Sequence, residues 1–480
     1  MLFNSLEFPV FFLIVAALYF RLGWNRRWQM LLLASCIFYM CFIPAYILIL
    51  AATISIDYGM ALLIEKATGW RRQAYLVISI VATCLVLFVF KYYNFFVLTG
   101  NRLAEIFGGS PLFGLTRIIL PLGLSFHTFQ SLSYVIEVYR GKQKAEKNFG
   151  IYSLYVMYFP QLVAGPIERP QNLLHQFYED HRFDPEETMM GLQMMTWGFF
   201  KKMVVADRIA PYVNTVYGDW RTQPGLPLLV ATLFFAVQIY ADFSGYSSIA
   251  IGCSRIMGIR LMKNFDTPYF AQGIAEFWKR WHISLSTWFR DYVYVPLGGN
   301  RVRPARLYIN LMVTFLISGF WHGAKWTFVI WGAYHGLLLI VERMAKSAGI
   351  APPRSLRPLG WLATLAFVSA GWVFFRAESV TAALAIFHKL GTDVHFNRPD
   401  IQQAILLMAG DNTSLPRMLT ALFLIAVMFS FEFAGRDGVF KWTARLKASA
   451  FWQIGLSLAA IEAVIFLGVL RPSAFIYFQF

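Results

Sequence analysis

Residues 307–340 read LYINLMVTFLISGFWHGAKWTFVIWGAYHGLLLI, two apolar runs separated by the short break HGAK. Each run approaches the ~20 residues a helix needs to cross about 30 Å of hydrocarbon, so the stretch predicts a helical hairpin in a membrane. The break sets His322 between Trp321 and Gly323. A titratable ring is costly to bury at such a place and calls for a reason.

Working outward, apolar runs of similar length recur at 8–20, 29–43, 45–63, 75–98, 118–137, 149–165, 189–205, 226–241, 305–320, 326–342, 358–375, 417–434 and 452–470. Several are short or interrupted, which leaves about 11–13 crossings. The 480 residues are 58% hydrophobic, 18% aromatic and only 14% charged, the composition of an integral membrane protein. The expected fold is therefore all-α, a polytopic helical membrane protein with one domain over 1–480. The first run has no basic region before it and no small-residue cleavage site after it, so it is read as a retained helix and not a signal peptide.

The net charge of +16 could suggest nucleic acid, but the cations cluster in short loops between spans, as positive-inside topology requires. Arg21, Arg26 and Arg27 follow the first span; Lys66, Arg71 and Arg72 the third; Arg140, Lys142, Lys144 and Lys147 the fifth. Arg343, Lys346, Arg354 and Arg357, and then Arg436, Lys441, Arg445 and Lys447, join them on the cytoplasmic side. Both termini then face outward, no nucleic-acid partner is expected, and membrane lipid surrounds the chain.

Cys36, Cys41, Cys84 and Cys253 lie in or beside apolar segments without a CxxC pair and are read as packing residues. His175 and His181 have no cysteine pair near them, so no metal site is expected. The polar segment 175–188 predicts a cytoplasmic loop or helix start, and 389–416 an external loop whose Asn412 sequon is treated as chance.

The segment GIAEFWKRWHISLSTWFRDYVYVPLGGNRVRPAR (273–306) alternates Phe277, Trp278, Trp281, Trp288 and Phe289 with Lys279, Arg280 and Arg290. That pattern predicts interfacial or re-entrant helices with rings in the acyl boundary and cations in water. An anchoring linker does not explain His282, Ser284, Ser286 and Asp291 within it. Asp242, His127 and the QLVAGPIERP turn with Pro166 and Glu168 interrupt other apolar stretches, and together these groups imply a polar tunnel. Asp242, Ser286, Asp291 and Trp321 are its candidate lining or orienting residues.

A histidine has an unperturbed pKa of about 6.5, which burial lowers, so His322 would be an uncharged base near neutral pH. A base in a dry cavity can take a hydroxyl proton as the alcohol attacks a thioester carbonyl, assistance of about 10²–10⁴-fold. Residue type alone favours a hydrogen-bonded structural histidine over a catalyst.

The motifs FPQLVAGPIERP (159–170), YADFSGYSSIAIG (240–252), NFDTPYFAQGIAEFWKRWHISLSTWFRDYVYVPLGGNR (264–301) and SGFWHGAKWTFVIWGAYHG (318–336) closely resemble the membrane-bound O-acyltransferase family. The likeness runs in order along nearly the whole chain and is strongest to the bacterial branch that acetylates exported polysaccharides such as alginate. It implies a helical bundle pierced by a tunnel that the acyl donor enters from the cytoplasm. It also implies that the WHG histidine, His322, is catalytic and that the RWHISLS histidine, His282, is the second active-site position. The expected donor is acetyl-CoA or another acyl thioester, with no bound cofactor. The expected acceptor is an exported polysaccharide, reached through a periplasmic or membrane-anchored acyltransferase partner in the bacterial cytoplasmic membrane.

The chain closes on AFIYFQF (474–480), which reads by default as an interfacial aromatic belt. It also resembles the FxYF signature of polymer-acylating systems in this family, in which a tyrosine carries the acyl group; Phe475, Tyr477 and Phe478 match it. A thiol pKa of about 8.5 and a phenol pKa of about 10 place an aryl ester between a thioester and a sugar ester as an acyl donor. The rival readings are a lipid- or protein-modifying acyltransferase, which shares the histidine, and a transporter, which does not need it.

Overall fold

The computed structural model describes residues 1–111, 113–116, 120–121, 123–163, 165–350, 356–409, 411–435, 450–469 and 475–479. Every regular element among them is a helix. Among the described residues six helices are long and apolar enough to cross a membrane: Tyr46–Lys66, Gly69–Ile106, Gly225–Ile256, Trp326–Ser347, Arg357–Arg376 and Ser414–Ala434. The basic loop with Arg436, Lys441, Arg445 and Lys447, and Arg354, lie outside the described residues. The described residues pack as two compact units, Met1–Gly191 with Ala250–Met262, and Leu192–Ile249 with Lys263–Phe480.

In the first unit the helix Glu7–Arg21 buries Phe8, Phe12, Val15 and Tyr19, the spacing of one helical face. Val10, Leu13 and Ile14 stay exposed at 59%, 68% and 55%. A helix that is apolar on its outward face as well needs lipid there. Polar side chains fasten the inner faces: Asp57 on Tyr46–Lys66 accepts from Ser79 Oγ (2.6 Å) and Thr83 Oγ1 (3.0 Å) of the next helix.

The apolar run 149–165, expected to cross as one helix, is broken. It forms Phe149–Met157 and the single turn Phe159–Leu162. Tyr158 between them turns away from helical geometry at φ −50°, ψ 111°, and Phe159 N–H donates to Ser35 Oγ of another helix at 3.0 Å. Pro160 has no N–H with which to continue the first helix.

In the second unit the hairpin read from 307–340 is present as Pro304–His322 and Trp326–Ser347. Gly319 and Gly332 let the two backbones approach. A Cβ on either would stand 2.3 Å from the carbonyl oxygen of Phe328 or Phe315, which is why small residues occupy such crossings. Residues 273–306 form the short helices Ile274–Arg280 and Ile283–Phe289 and a π turn Arg290–Tyr294.

One expectation for this segment is corrected. Phe277, Trp281, Trp288 and Phe289 do not face an acyl boundary; all four are buried, while Lys279 and Arg290 are exposed. Trp281 stacks on Phe277 at 5.5 Å and meets Tyr240, Phe265 and Trp372 within 6.0 Å. Such ring pairs contribute about 0.5–1.5 kcal/mol each beyond their burial, so the interior of the unit competes successfully for them.

Candidate active site

His322 is the last residue of its helix, where the chain opens into extended Gly323. A Cβ at Gly323 would press within 2.1 Å of the Phe328 ring, so glycine is what allows the hairpin to close directly behind the histidine. The imidazole is 4% exposed and walled by Trp321 (4.9 Å between centroids), Trp331 (5.0 Å) and Phe375 (5.5 Å). The fourth wall is Tyr477, 5.6 Å away. The end of the chain therefore returns to the hairpin whose sequence raised the question.

The Tyr477 hydroxyl is buried and has no hydrogen-bond partner among the described residues. Burial, reinforced by the charge of Asp242, raises its pKa above the usual phenol value. An unassisted phenolate does not form there, and a neighbouring base is needed to take the proton. The ring is held by Phe475 (5.4 Å), Phe243 (4.8 Å) and Phe375 (5.9 Å). Phe478, the other ring of the tail motif, has its side chain outside the described residues.

His282 joins the same cluster through Phe243, whose ring stands 4.6 Å from the imidazole and 4.8 Å from Tyr477. Its backbone is left-handed, φ 44° and ψ 54°, a conformation that costs a non-glycine residue of order 1–3 kcal/mol and persists where the surroundings impose it. The surroundings are Asn264: its backbone oxygen accepts from Ile283 N–H (2.8 Å), and its Oδ1 bonds His282 Nδ1 (3.1 Å) and accepts from Ser284 Oγ (2.9 Å). Asn264 Nδ2 in turn donates to Ser247 Oγ at 2.9 Å. Burial lowers the His282 pKa to about 3, so this ring is neutral at physiological pH.

Asp242 is 2% exposed. It accepts the backbone N–H of Ile476 at 2.7 Å and the ammonium of Lys202 at 2.7 Å, and Lys202 also reaches Asp207 at 2.9 Å. Trp321, Asp242, His282, His322 and Tyr477 are thus gathered around one set of rings. Ser286 and Asp291 are not part of it: Ser286 Oγ bonds Trp281 O and lines a cavity of about 480 Å³ bounded by Trp278, Phe315 and Ser318. Asp291 is ion-paired to its exposed neighbour Arg290 at 2.8 Å. His127 lies in the first unit on Thr53 Oγ1 at 3.3 Å.

Asn264, Lys202, Asp207 and His335 are not singled out by sequence reading. Asn264 lies within 264–301 without a chemical signature of its own, and Lys201–Lys202, which interrupt the apolar run 189–205, are not singled out there. His335, fully buried, lies against Trp331 (5.0 Å) and Trp278 (5.1 Å), and neither ring nitrogen has a hydrogen-bond partner among the described residues. Of His175 and His181, the first contacts Glu179 at 3.6 Å and the second bonds Gln176 O at 2.8 Å. Among the described residues no group of three or more His, Cys, Asp or Glu side chains could hold a metal.

The model of the family "MBOAT, membrane-bound O-acyltransferase family" matches residues 147–382. Over 395 residues the chain is 42% identical to the probable alginate O-acetylase AlgI of Pseudomonas aeruginosa, covering 81% of this chain and 75% of that one. Against the probable alginate O-acetylase AlgI of Pseudomonas putida the identity is 36% over 504 residues and the full length of both. The peptidoglycan O-acetyltransferase of Helicobacter pylori is 34% identical over 408 residues, 79% of this chain and 73% of that one.

Proposed function

From the premise that the chain belongs to the membrane-bound O-acyltransferase family, we propose that it passes an acetyl group from a cytoplasmic thioester donor, such as acetyl-CoA, to an exported polysaccharide. It is an O-acetyltransferase of multi-pass membrane architecture. In this reading it resides in a bacterial cytoplasmic membrane with both termini outside, and a periplasmic or membrane-anchored acyltransferase collects the acyl group. The relatives' names, alginate and peptidoglycan O-acetyl transfer, support a polymeric acceptor.

The observation that carries the reading is the contact of His322, itself buried, with the ring of Tyr477, 5.6 Å between centroids among the surrounding aromatic rings. His322 takes the phenolic proton as Tyr477 Oη attacks the thioester carbonyl. The C–O bond of an aryl ester forms, the C–S bond breaks, and the leaving thiolate receives the proton from the imidazolium. The aryl ester then donates its acetyl to the acceptor hydroxyl, which restores the phenol. His282, neutral and oriented by Asn264, positions donor or acceptor beside the reacting carbonyl. A surrounding of packed rings strengthens these interactions and keeps water from the ester.

The test compares His322→Ala and Tyr477→Phe at matched membrane levels for ester-linked acetate on exported polysaccharide. Loss in both supports relay through the tail. Normal acetylation by Tyr477→Phe removes the carrier role and leaves His322 as the base acting directly on the acceptor, and normal acetylation by His322→Ala removes the chemistry altogether.

A further inference from the structure

Three features lie outside the relay just described: the cavity of about 480 Å³ behind Trp278, the buried His335, and the ion pairs beneath the tail. The third connects directly to the reacting groups.

The elements around Lys202 make an anchor for the end of the chain. Phe200–Ala206 is a seven-residue π turn, a rare geometry found mostly at functional positions. Val469 N–H donates to Met203 O of this turn at 3.0 Å, and Arg208, just beyond the turn, donates to Leu467 O. The turn also carries Lys202 to Asp242 and Asp207, all three at most 6% exposed. Asp242 spends one oxygen on Lys202 and the other on Ile476 N–H. The last helix and the tail beyond it are therefore tied to one point of the unit.

We propose that Lys202, Asp207 and Asp242 form a latch that positions the C-terminal tail by its backbone, setting Tyr477 against His322. The proposal rests on the carrier reading of Tyr477. Two buried carboxylates and one ammonium are poor stabilisers, because desolvation offsets most of their attraction; an apolar trio would hold the helices equally well. A carboxylate aimed at a main-chain N–H does something an apolar residue does not: it fixes the direction of the tail and leaves the Tyr477 side chain unbonded for chemistry. Lys202 holds the Asp242 carboxylate aligned, and Asp207 fixes Lys202. None of the three touches the Tyr477 hydroxyl, so all are positioning residues.

The latch bond uses a backbone donor, which allows a selective test. Ile476 opens the short helix Ile476–Gln479, a first-turn position that proline tolerates while lacking the N–H. Ile476→Pro breaks the bond without altering His322, Tyr477 or the ion pairs, and Ile476→Ala keeps the N–H as its control. Membranes holding each full-length variant are incubated with acetyl-labelled acetyl-CoA, and label on the C-terminal peptide is read by mass spectrometry.

Expected is a loss of about tenfold in tail labelling for Ile476→Pro, the factor of one charge-assisted hydrogen bond, with the donor KM unchanged and Ile476→Ala close to the parent. Labelling of Ile476→Pro at the parental rate overturns the latch. If the parent itself takes no label, the carrier reading fails, and the latch is decided by hydrogen exchange on the tail amides beyond residue 476. Exchange about tenfold faster in Ile476→Pro than in the parent supports the latch, and equal exchange overturns it.

Discussion

Asp57 and Asp242 are both buried carboxylates on long apolar helices, 0% and 2% exposed, and they do opposite things. Asp57 accepts two hydroxyls, Ser79 and Thr83, from a neighbouring helix; Asp242 accepts an ammonium and the backbone of the chain end. The histidines follow the same division. His127 bonds Thr53 inside the first unit, whereas His322 is walled by tryptophans and a tyrosine in the second. A buried polar group whose partners are hydroxyls on the next helix fastens helices. One that faces rings, as His322 does, or a charge and the returning tail, as Asp242 does, belongs to the proposed site.

The sharpest way to break this comparison is to exchange the histidines for alanine in turn. His322→Ala should lower ester acetate on exported polysaccharide by about 10²–10⁴-fold, while His127→Ala at equal folded level should leave turnover within a few-fold of the parent. A large loss from His127→Ala alone would reverse the assignment of the two units. Next in size, Asp57→Leu should destabilise by about 1–3 kcal/mol, the cost of stranding buried hydroxyls, measured by denaturant midpoint in detergent, with activity per folded molecule unchanged. A change in turnover without one in stability would make Asp57 a working residue.

Asn264→Ala should lower kcat by about tenfold, since it removes the side-chain bonds that fix the His282 ring and Ser284 while the backbone bond to Ile283 stays. The donor KM should stay constant, and a pure KM effect would move Asn264 into donor binding. The smallest expected effect concerns Glu168 in the first unit, which accepts Met262 N–H and is fully buried. Burial raises its pKa from 4.5 to about 7. The folded state then holds a proton that the unfolded chain releases, so this contribution is complete below about pH 4.5 and is lost as pH rises through about 7. Glu168→Gln should flatten the fall in thermal midpoint across that window; an unchanged slope would assign it to another group.

The site was only partly readable in advance. His322, His282 and Tyr477 stood out because each breaks an apolar or aromatic run, and a polar residue in such a run carries its own signal. Asn264 and Asp207 carry none, and Lys202, though it interrupts the run 189–205, points to no chemistry by itself; their meaning comes from partners 18 and 40 positions away, His282 for Asn264 and Asp242 for Lys202, that fold against them. Ser286 and Asp291 show the converse: they share a helix-sized segment with His282, yet the turn after Trp281 sends their side chains to other neighbours.

The sequence by itself determined the solvent and the class of fold. Hydropathy over windows of about 20 residues selects helices in lipid because no other element can satisfy its backbone there. Tertiary structure alone decided that the run 149–165 breaks at Tyr158, that the rings of 273–306 turn inward, and that the final residues come back to His322. The physical reason is range. Periodicity and composition report each residue's preference for its surroundings, whereas the contacts of Tyr477 with a helix more than 150 residues earlier depend on how packed surfaces fit, which no local window contains.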